Sequence, residues 1–291
     1  MPEKHRPVKI VVDSAADIPP DIVRELDITV IPLLVHMGGR TYQDGVDISG
    51  EAFYRQLKAT QSVTTTSLPT LNALAEAYRR LTSDGYDVVS VHLSSKLSGT
   101  FNAALMASTA DGVPAEAIAV VDSRSISMGE GLIAIKAAEA AREGKSQAEV
   151  EAIACGLVSS AAVYGVLDTL EYVIRSGRVG RIPGTVGTML NIKPILTVQG
   201  SGEAIICERV RTRKKALERL VQLVAEQGPL DRLAVMHGAD EEGAHTLLGM
   251  LQSLDNMPQS VVTAHIGAVL GTHVGPGAVG VCCLKRDAGG E

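Results

Sequence analysis

Short runs of β-branched and aliphatic residues alternate with amphipathic segments along the first half of the chain. The apolar run Val88–Leu93, for example, precedes the alanine-rich helical pattern Thr100–Ala110. Short apolar runs bounded by turn residues favour buried strands, and apolar positions three or four residues apart favour helices. Alternation of these two patterns predicts a parallel sheet with helices on both faces.

The other segments of the first half follow the same patterns. Gly38-Gly39 predicts a hairpin turn, and Ser49 predicts the cap of a helix that carries Phe53, Tyr54 and Leu57. The predicted strands are Val8–Val12, Thr29–Met37 and Ile118–Val121, and the predicted helices are Pro19–Leu26, Pro69–Leu81, Met128–Arg142 and Ser146–Ser160.

Short strands dominate the second half of the chain. Gly200-Ser201-Gly202 predicts a hairpin, and therefore a mixed sheet. We predict an α/β protein with two domains, a parallel-sheet domain over residues 1–160 and a mixed-sheet domain over residues 161–291. The predicted strands are Ala162–Val166, Pro194–Val198, Ala204–Val210, Leu233–Met236, Val261–Ala264 and Ala278–Leu284, and the predicted helices are Thr212–Gln227 and Glu241–Ser253.

Two hydroxyl-rich loops are the strongest indication of chemistry. One contains Ser98 and Gly99 between a strand and a helix, and the other places Thr66 or Ser67 before Pro69 at the mouth of a second helix. A helix N-terminus offers unpaired N–H groups and a positive dipole end, which suit a carboxylate or phosphate. Ordinary helix capping and a plain turn are the alternatives. Two such loops together favour donors that converge on one anion.

The composition narrows the ligand class. Hydrophobic residues make up 45% of the 291 residues, but aromatic residues only 3%, so the core must be aliphatic. A net charge of −6 and the scarcity of aromatic stacking surfaces argue against a nucleic-acid partner. The basic run 209–215 is interpreted as a solvated helix face rather than a docking patch.

The cysteines and histidines indicate no disulfide framework and no metal. None of the four cysteines has Cys-x-x-Cys spacing and each lies in an apolar context, which predicts buried thiols in a reducing compartment. None of the seven histidines has metal-pair spacing. The N-terminus lacks a hydrophobic signal region, and no apolar stretch approaches 18 residues, so we expect a cytoplasmic protein.

Three further residues are candidates for contact with an anion. His273 lies in a glycine-dense loop before a predicted strand, Arg178 lies between glycine-containing turns, and Lys193 precedes Pro194. Each is also compatible with an exposed structural role, which spacing alone favours for Arg178 and Lys193. The glycine patterns at 129–134 and 275–280 imitate dinucleotide fingerprints, but neither has the required tight turn from strand to helix.

In combination, several segments resemble the DegV family. They cover nearly the whole chain and follow the family's order. They are Lys9-Ile10-Val11-Val12-Asp13-Ser14, Thr66-Ser67-Leu68-Pro69-Thr70, Leu93–Thr100, Val120-Val121-Asp122-Ser123, Ser176-Gly177-Arg178, Asn191–Leu196 and His273–Ala278.

The resemblance implies a non-catalytic protein that buries a long-chain fatty acid between two domains. In such a system a separate kinase subunit phosphorylates the bound carboxylate with ATP. By this resemblance Thr66 and Ser98 correspond to the hydroxyls that hold the carboxylate, and His273 and Arg178 to head-group residues. Arg211 resembles a basic position linked to docking on the kinase or transiently on a membrane.

No cofactor other than the bound fatty acid is expected from this resemblance. One departure from the family is Leu68, which stands where the family often has Gln.

Two other functions remain open from the residues. One is a small-anion or sugar-phosphate transferase that uses the same helix N-termini, with His273 as general acid or base. The other is a regulatory module that senses lipid and binds another protein. An aliphatic interior with few aromatic residues suits an acyl chain better than a planar cofactor.

Overall fold

The alternation of apolar and amphipathic segments reappears in the computed structural model, which describes residues 5–60, 63–178, 192–255, 257–258 and 260–286. The strands are β1 (Val8–Asp13), β2 (Thr29–Ile31), β3 (Leu34–Met37), β4 (Arg40–Gln43), β5 (Thr65–Ser67), β6 (Asp87–His92), β7 (Ile118–Asp122), β8 (Ala161–Val166), β9 (Lys193–Gln199), β10 (Ala204–Val210), β11 (Leu230–His237), β12 (Val261–His265) and β13 (Val279–Lys285). The helices are α1 (Pro20–Glu25), α2 (Gly50–Thr60), α3 (Leu71–Ser83), α4 (Thr100–Ser108), α5 (Met128–Arg142), α6 (Gln147–Leu157), α7 (Glu171–Ser176), α8 (Arg213–Ala225), α9 (Glu241–Leu251) and α10 (Ala268–Val274).

The first half forms the predicted parallel sheet. Its strand order is β2-β1-β6-β7, and each neighbouring pair is parallel. On β6, Val89 and Val91 pack toward α5, whereas Val88 joins the cluster beneath α3 and α4. Burial on both faces explains why this strand carries apolar residues on both of its faces.

The second half forms the predicted mixed sheet, in the order β10-β9-β8-β13-β11-β12. Strands β11 and β12 are parallel, and the other neighbours are antiparallel. The predicted hairpin at Gly200–Gly202 joins β9 to β10. On adjacent positions of β13, Cys282 faces the core around α5, and Cys283 faces α8 and α9. The α/β class with one parallel and one mixed sheet is therefore confirmed.

Helix α5 connects the two sheets through one continuous core. Most of its residues are buried, and the same cluster includes Val12 from the parallel sheet and Val163 from the mixed sheet. Gly129 and Gly131 make this approach possible, because a Cβ on Gly129 would lie 2.5 Å from Val163 Cγ2, and one on Gly131 would lie 2.7 Å from the Ala16 carbonyl. Close packing thus accounts for the false dinucleotide pattern. A domain boundary near residue 160 stays a prediction.

One predicted strand is wrong. Thr29–Met37 is not continuous: β2 pairs in the parallel sheet, and β3 starts a separate antiparallel sheet of order β4-β3-β5. Pro32 lies at the break and has no N–H for a ladder. The next N–H, that of Leu33, donates to Ser14 Oγ at 3.1 Å instead of to a strand. The hairpin at Gly38-Gly39 is confirmed, with both glycines in the left-handed region.

Two of the four cysteines also differ from expectation. Cys282 and Cys283 are buried, as predicted, but Cys155 and Cys207 are exposed on the outer sides of α6 and β10. All four are free thiols. In the part of the chain that the structure describes, no helix is long and apolar enough to cross a membrane.

Candidate ligand-binding site

A cavity of about 440 Å³ lies between loops at the carboxyl edge of the parallel sheet and one face of the mixed sheet. Volumes of this order hold small molecules in other proteins. Most of its wall is aliphatic, and the mixed sheet contributes Val163, Leu196, Val198 and Met236. We call it the central cavity. All six candidate ligand residues line it: Thr66, Ser67, Ser98, Gly99, Arg178 and His273.

One polar contact in this cavity joins the two halves of the chain. Thr66 Oγ1 lies 3.0 Å from His273 Nε2, although 207 positions separate the residues. Burial lowers the pKa of His273 to about 4, and the charge of Arg178 acts in the same direction. The ring is therefore neutral at pH 7. With the proton on Nε2 it donates to Thr66, which leaves the Thr66 hydroxyl proton for a second acceptor in the cavity.

The local structures around these two residues differ from the sequence prediction. Thr66 does not lie at a helix mouth: it is the middle residue of β5, and Thr70 caps the following helix by accepting from the Ala73 N–H at 3.1 Å. His273 does not lie in a loop, because it belongs to the last turn of α10. Helix α10 was missed because it has only seven residues and contains Gly271 and Thr272, which are weaker helix formers than Ala or Leu.

The loop that contains Ser98 and Gly99 places the N-terminus of α4 beside the central cavity. Ser98, Gly99 and Asn102 of this terminus line the cavity. The Thr100 N–H donates to Ser98 Oγ at 3.2 Å, which is a local turn contact, whereas the N-cap residue of α4 is Gly99 and no side chain caps this helix. The remaining N–H groups of a first turn have no acceptor within their helix, and they carry the positive end of the dipole. This end of the cavity therefore suits an anion.

Two buried contacts fix the loop that carries Ser98. Ser94 Oγ donates to the Gly202 carbonyl in the β9–β10 hairpin at 2.7 Å. Gly202 has a positive φ of 79°, and a Cβ there would lie 2.4 Å from Ser94 Oγ. Asp122 accepts from the Ser95 N–H at 3.2 Å. Ser94 and Asp122 thus position the loop.

A buried chain of polar groups below this loop has the arrangement of a catalytic triad. His92 Nδ1 lies 3.0 Å from Asp13 Oδ2, and His92 Nε2 lies 2.8 Å from Ser90 Oγ. However, all three residues have no exposed surface, and Tyr78 donates to Ser90 Oγ at 2.8 Å. A nucleophile must reach its substrate. We therefore interpret this chain as support for β6, since Asp13 also accepts from the Leu93 N–H.

Two carboxyl groups from the first half of the chain hold the start of α10. Asp17 Oδ1 accepts from the Gly267 N–H at 2.8 Å, and Asp44 Oδ1 accepts from the Ala268 N–H at 3.0 Å. Both residues line a second cavity of about 670 Å³. These contacts anchor the helix that carries His273, and so they position His273 against Thr66.

We expect this anchor to make stability depend on pH. Burial raises the pKa of Asp17 to about 8, and burial also raises the pKa of Asp44. Between about pH 4 and about pH 8 the folded chain keeps a proton that the unfolded chain releases, so stability falls as the pH rises through this range.

The Asp17→Asn variant should therefore lose less melting temperature than the wild type as the pH is raised. A difference of about 1 kcal/mol in the free energy of unfolding corresponds to a difference of about 2–4 °C in melting temperature for a chain of this size class. Thermal unfolding at several pH values measures it, with the exposed Asp111→Asn variant as control. Parallel curves for the wild type and Asp17→Asn would contradict the assignment.

Arg178 reaches the cavity from the end of α7, a helix that sequence analysis missed. Gly177 ends this helix in the left-handed region with φ 66°, and its N–H donates to the Val173 carbonyl. Arg178 follows directly, is exposed, and donates to the Ser176 carbonyl at 2.7 Å. The rest of the arginine-rich segment, 179–181, and Asn191 of the family motif lie outside the described residues.

The other candidates have different surroundings. Ser67 alternates with Thr66 along β5, and its hydroxyl lies 3.0 Å from His36 Nε2. Lys193 Nζ forms an ion pair with Asp168 Oδ1 at 2.7 Å, and Lys193 does not line the central cavity. Arg211 is exposed between β10 and α8, away from the central cavity.

Leu68, the departure from the family pattern, lines the cavity and is 42% exposed. A Cβ built on Gly99 would lie 3.5 Å from Leu68 Cδ2, so this side chain spans from β5 to the α4 N-terminus. Lys96 and Asn102 also line the cavity. Sequence analysis did not select them, although both belong to the loop that contains Ser98 and Gly99 or to the helix turn that follows it.

Comparisons with known proteins agree with this architecture. A family model described as an uncharacterised protein of the DegV family matches residues 7–286. A DegV domain-containing protein of Streptomyces coelicolor is 37% identical over 287 residues, which cover 97% of this chain and 99% of the relative.

Two solved structures share the fold over nearly their full length. A DegV family protein from Thermus thermophilus, described for its fatty acid binding, has a TM-score of 0.87 at 29% identity, and the match covers 97% of this chain and 100% of that one. A stearic acid-binding protein from Eubacterium ventriosum has a TM-score of 0.85 at 26% identity, with 96% and 98% covered. The family resemblance of the sequence motifs is thereby confirmed, and the chain belongs to the DegV family.

Proposed function

We propose that this protein binds a long-chain fatty acid in the central cavity and presents the carboxylate to a partner kinase, which forms an acyl phosphate. The observation that carries the proposal is the combination of an aliphatic cavity with convergent polar groups from Thr66, Ser98, Arg178 and His273. The fatty acid binding described for the Thermus thermophilus and Eubacterium ventriosum proteins supports it.

The aliphatic wall supplies most of the affinity in this proposal. Burying about 15 methylene groups at about 0.8 kcal/mol each contributes about 12 kcal/mol before costs. Lost translational and conformational freedom offsets much of this gain. Val163, Leu196 and Met236 offer the acyl tail no hydrogen bonds. They therefore favour any acyl tail of suitable size and do not determine which way the fatty acid points.

The polar groups set the orientation. A buried carboxylate without donors is unfavourable by several kcal/mol, so the head group belongs beside Thr66, Ser98 and the α4 N-terminus. Each hydrogen bond to a charged acceptor contributes about 1.5–3 kcal/mol. Arg178 adds a positive charge at the same end, as its effect on the pKa of His273 indicates.

The carboxylate end is also the accessible end, which supports presentation to another protein. Gly99 and Arg178 are exposed, and Leu68 beside them is 42% exposed. A kinase that approached this surface could deliver a phosphoryl group without extraction of the tail. In this proposal the chain contributes no catalytic residue, and Arg211 serves in docking to the kinase or transiently to a membrane.

Mass spectrometry of the denatured protein tests the binding step. Untagged protein purified from a bacterial host should release close to one fatty acid per chain, because burial of the acyl tail is favourable enough to make exchange of the fatty acid slow. The measurement is the molar ratio of acyl species to protein in a solvent extract. Repeated preparations without acyl species, and no uptake of added stearate, would contradict the proposal.

Reconstitution with a fatty acid kinase catalytic subunit tests the presentation step separately. With ATP, the loaded protein should yield acyl phosphate, which hydroxylamine converts to a hydroxamate that can be counted. Protein that binds stearate normally but yields no hydroxamate would remove the kinase role and leave the binding role intact.

The transferase alternative requires a polar substrate in the same cavity. Its acid–base residue would be His273. Because the pKa of this ring is lowered to about 4, the ring is neutral at pH 7 and cannot act as a cationic general acid. The aliphatic lining also gives a phosphorylated sugar few partners. Thermal shifts with phosphorylated metabolites and none with stearate would favour the alternative.

A further inference from the structure

Three side chains of the types that bind metals meet at the edge of the mixed sheet, and none of them lines the central cavity. His237 and His265 end the neighbouring parallel strands β11 and β12 and are paired in register. Their ring centroids lie 4.1 Å apart. Glu241 opens the following helix α9, and its Oε1 lies 3.8 Å from His265 Nε2. One potential ligand atom from each of the three residues lies within 4.8 Å of the others.

The surroundings favour a cation over a purely structural histidine pair. His237 is only 4% exposed, and its Nδ1 has no hydrogen-bond partner among the described residues. A buried polar atom without a partner is unfavourable, and the ring contact with His265 does not supply that partner. Asp240 is already engaged, since it caps α9 and pairs with Arg213, so Glu241 is the carboxylate left for the histidines.

The charge of the cluster also suits a cation. The carboxylate of Glu241, which lies 3.8 Å from His265 Nε2, supplies a negative charge for a divalent ion.

We propose that His237, Glu241 and His265 form a binding site for a divalent metal ion of the zinc class. Two imidazoles and one carboxylate match the ligands that zinc takes in three-residue sites, which leave a position for water or another ligand. Magnesium and calcium prefer sets made of oxygen ligands. A tetrahedral site with bonds of about 2.1 Å places ligand atoms about 3.4 Å apart. The exposed side chains of Glu241 and His265 can close the remaining distance by a change of rotamer.

Strand register explains why the sequence does not reveal this site. His237 and His265 lie 28 positions apart along the chain. Glu241 follows His237 at i+4, but His237 ends a strand, so this spacing is not that of a helical motif. Only the parallel pairing of β11 with β12 brings the rings together. The expectation of no metal, which relied on spacing along the chain, did not test this arrangement.

Equilibrium dialysis of the untagged, full-length protein against Zn²⁺, with metal analysis of both compartments, tests the proposal. The exposed thiols Cys155 and Cys207 are replaced by serine in every sample, so that stray thiolate binding does not contribute. The parent should bind one zinc per chain with a micromolar or lower Kd, and excess Mg²⁺ should not displace it. His265→Ala and Glu241→Gln should each weaken binding at least about tenfold.

The matched control is His245→Ala, which removes an exposed histidine from the same helix α9 but outside the cluster. It should leave zinc binding unchanged. Because Glu241 and His265 are exposed, their variants should fold, and circular dichroism verifies this. The proposal is overturned if the parent binds no zinc, or if His245→Ala weakens binding as much as His265→Ala. Retention of full affinity in both His265→Ala and Glu241→Gln would overturn it as well.

Discussion

The Gly165→Leu variant is expected to fold normally and to lose most of its fatty acid. Gly165 lies on β8, on the same face as Val163, and lines the central cavity. A Cβ on Gly165 would meet no heavy atom within 4 Å, so a leucine side chain enters space that the acyl tail occupies in our proposal. Displacing about four methylene groups would cost about 3 kcal/mol, or about 100-fold in affinity.

Stearate titration and the acyl content of purified protein measure this effect. Gly156→Leu is the matched control, because a Cβ at this exposed position of α6 also meets nothing, and the position lies outside the cavity. It should retain full binding. If Gly165→Leu is folded and still binds stearate like the wild type, the tail does not lie along β8.

Removal of the Thr66 hydroxyl is expected to have the second largest effect. Valine keeps the shape of the side chain, but it takes away the ligand donor and the partner of His273 Nε2. Loss of one hydrogen bond to a charged acceptor predicts a free-energy loss of about 1.5–3 kcal/mol, or about 10–100-fold weaker stearate binding. Ser98→Ala should act in the same direction.

A fatty alcohol of the same length separates head-group effects from tail effects. The wild type should prefer stearate to stearyl alcohol, and Thr66→Val should reduce this preference. Thr65→Val is the control, since Thr65 is the exposed neighbour on the same strand. An equal loss for the acid and the alcohol would mean that Thr66 acts through the fold and not through the carboxylate.

Local patterns predicted the parallel and the mixed sheet well because most of their strands carry a local signal of their own. The run Val88–Leu93 and the helix after it required no knowledge of distant residues, and the structure contains both. Thr29–Met37 failed because apolar periodicity does not report which sheet a strand joins. Pro32 was the available signal, since it interrupts any ladder.

The candidate site could be predicted only in part, because much of it depends on contacts across the chain. The hydroxyls of Thr66 and Ser98 were visible as local motifs, and His273 and Arg178 were candidates from their glycine-rich surroundings, which the resemblance to a family then supported. The predicted local structure of Thr66 was wrong because the three residues of β5 are too few to show the alternation of apolar and polar positions that marks a strand. The anchoring of α10 by Asp17 and Asp44 spans more than 220 positions and leaves no local trace.

The most direct measurement is a crystal structure of the protein with bound stearate. Our account predicts the carboxylate within hydrogen-bond distance of Thr66 Oγ1 and Ser98 Oγ, with the tail against Val163 and Gly165 in the central cavity. A carboxylate at the opposite end of that cavity would contradict the account. Acyl density in the second cavity, beside Asp17 and Asp44, would contradict it equally.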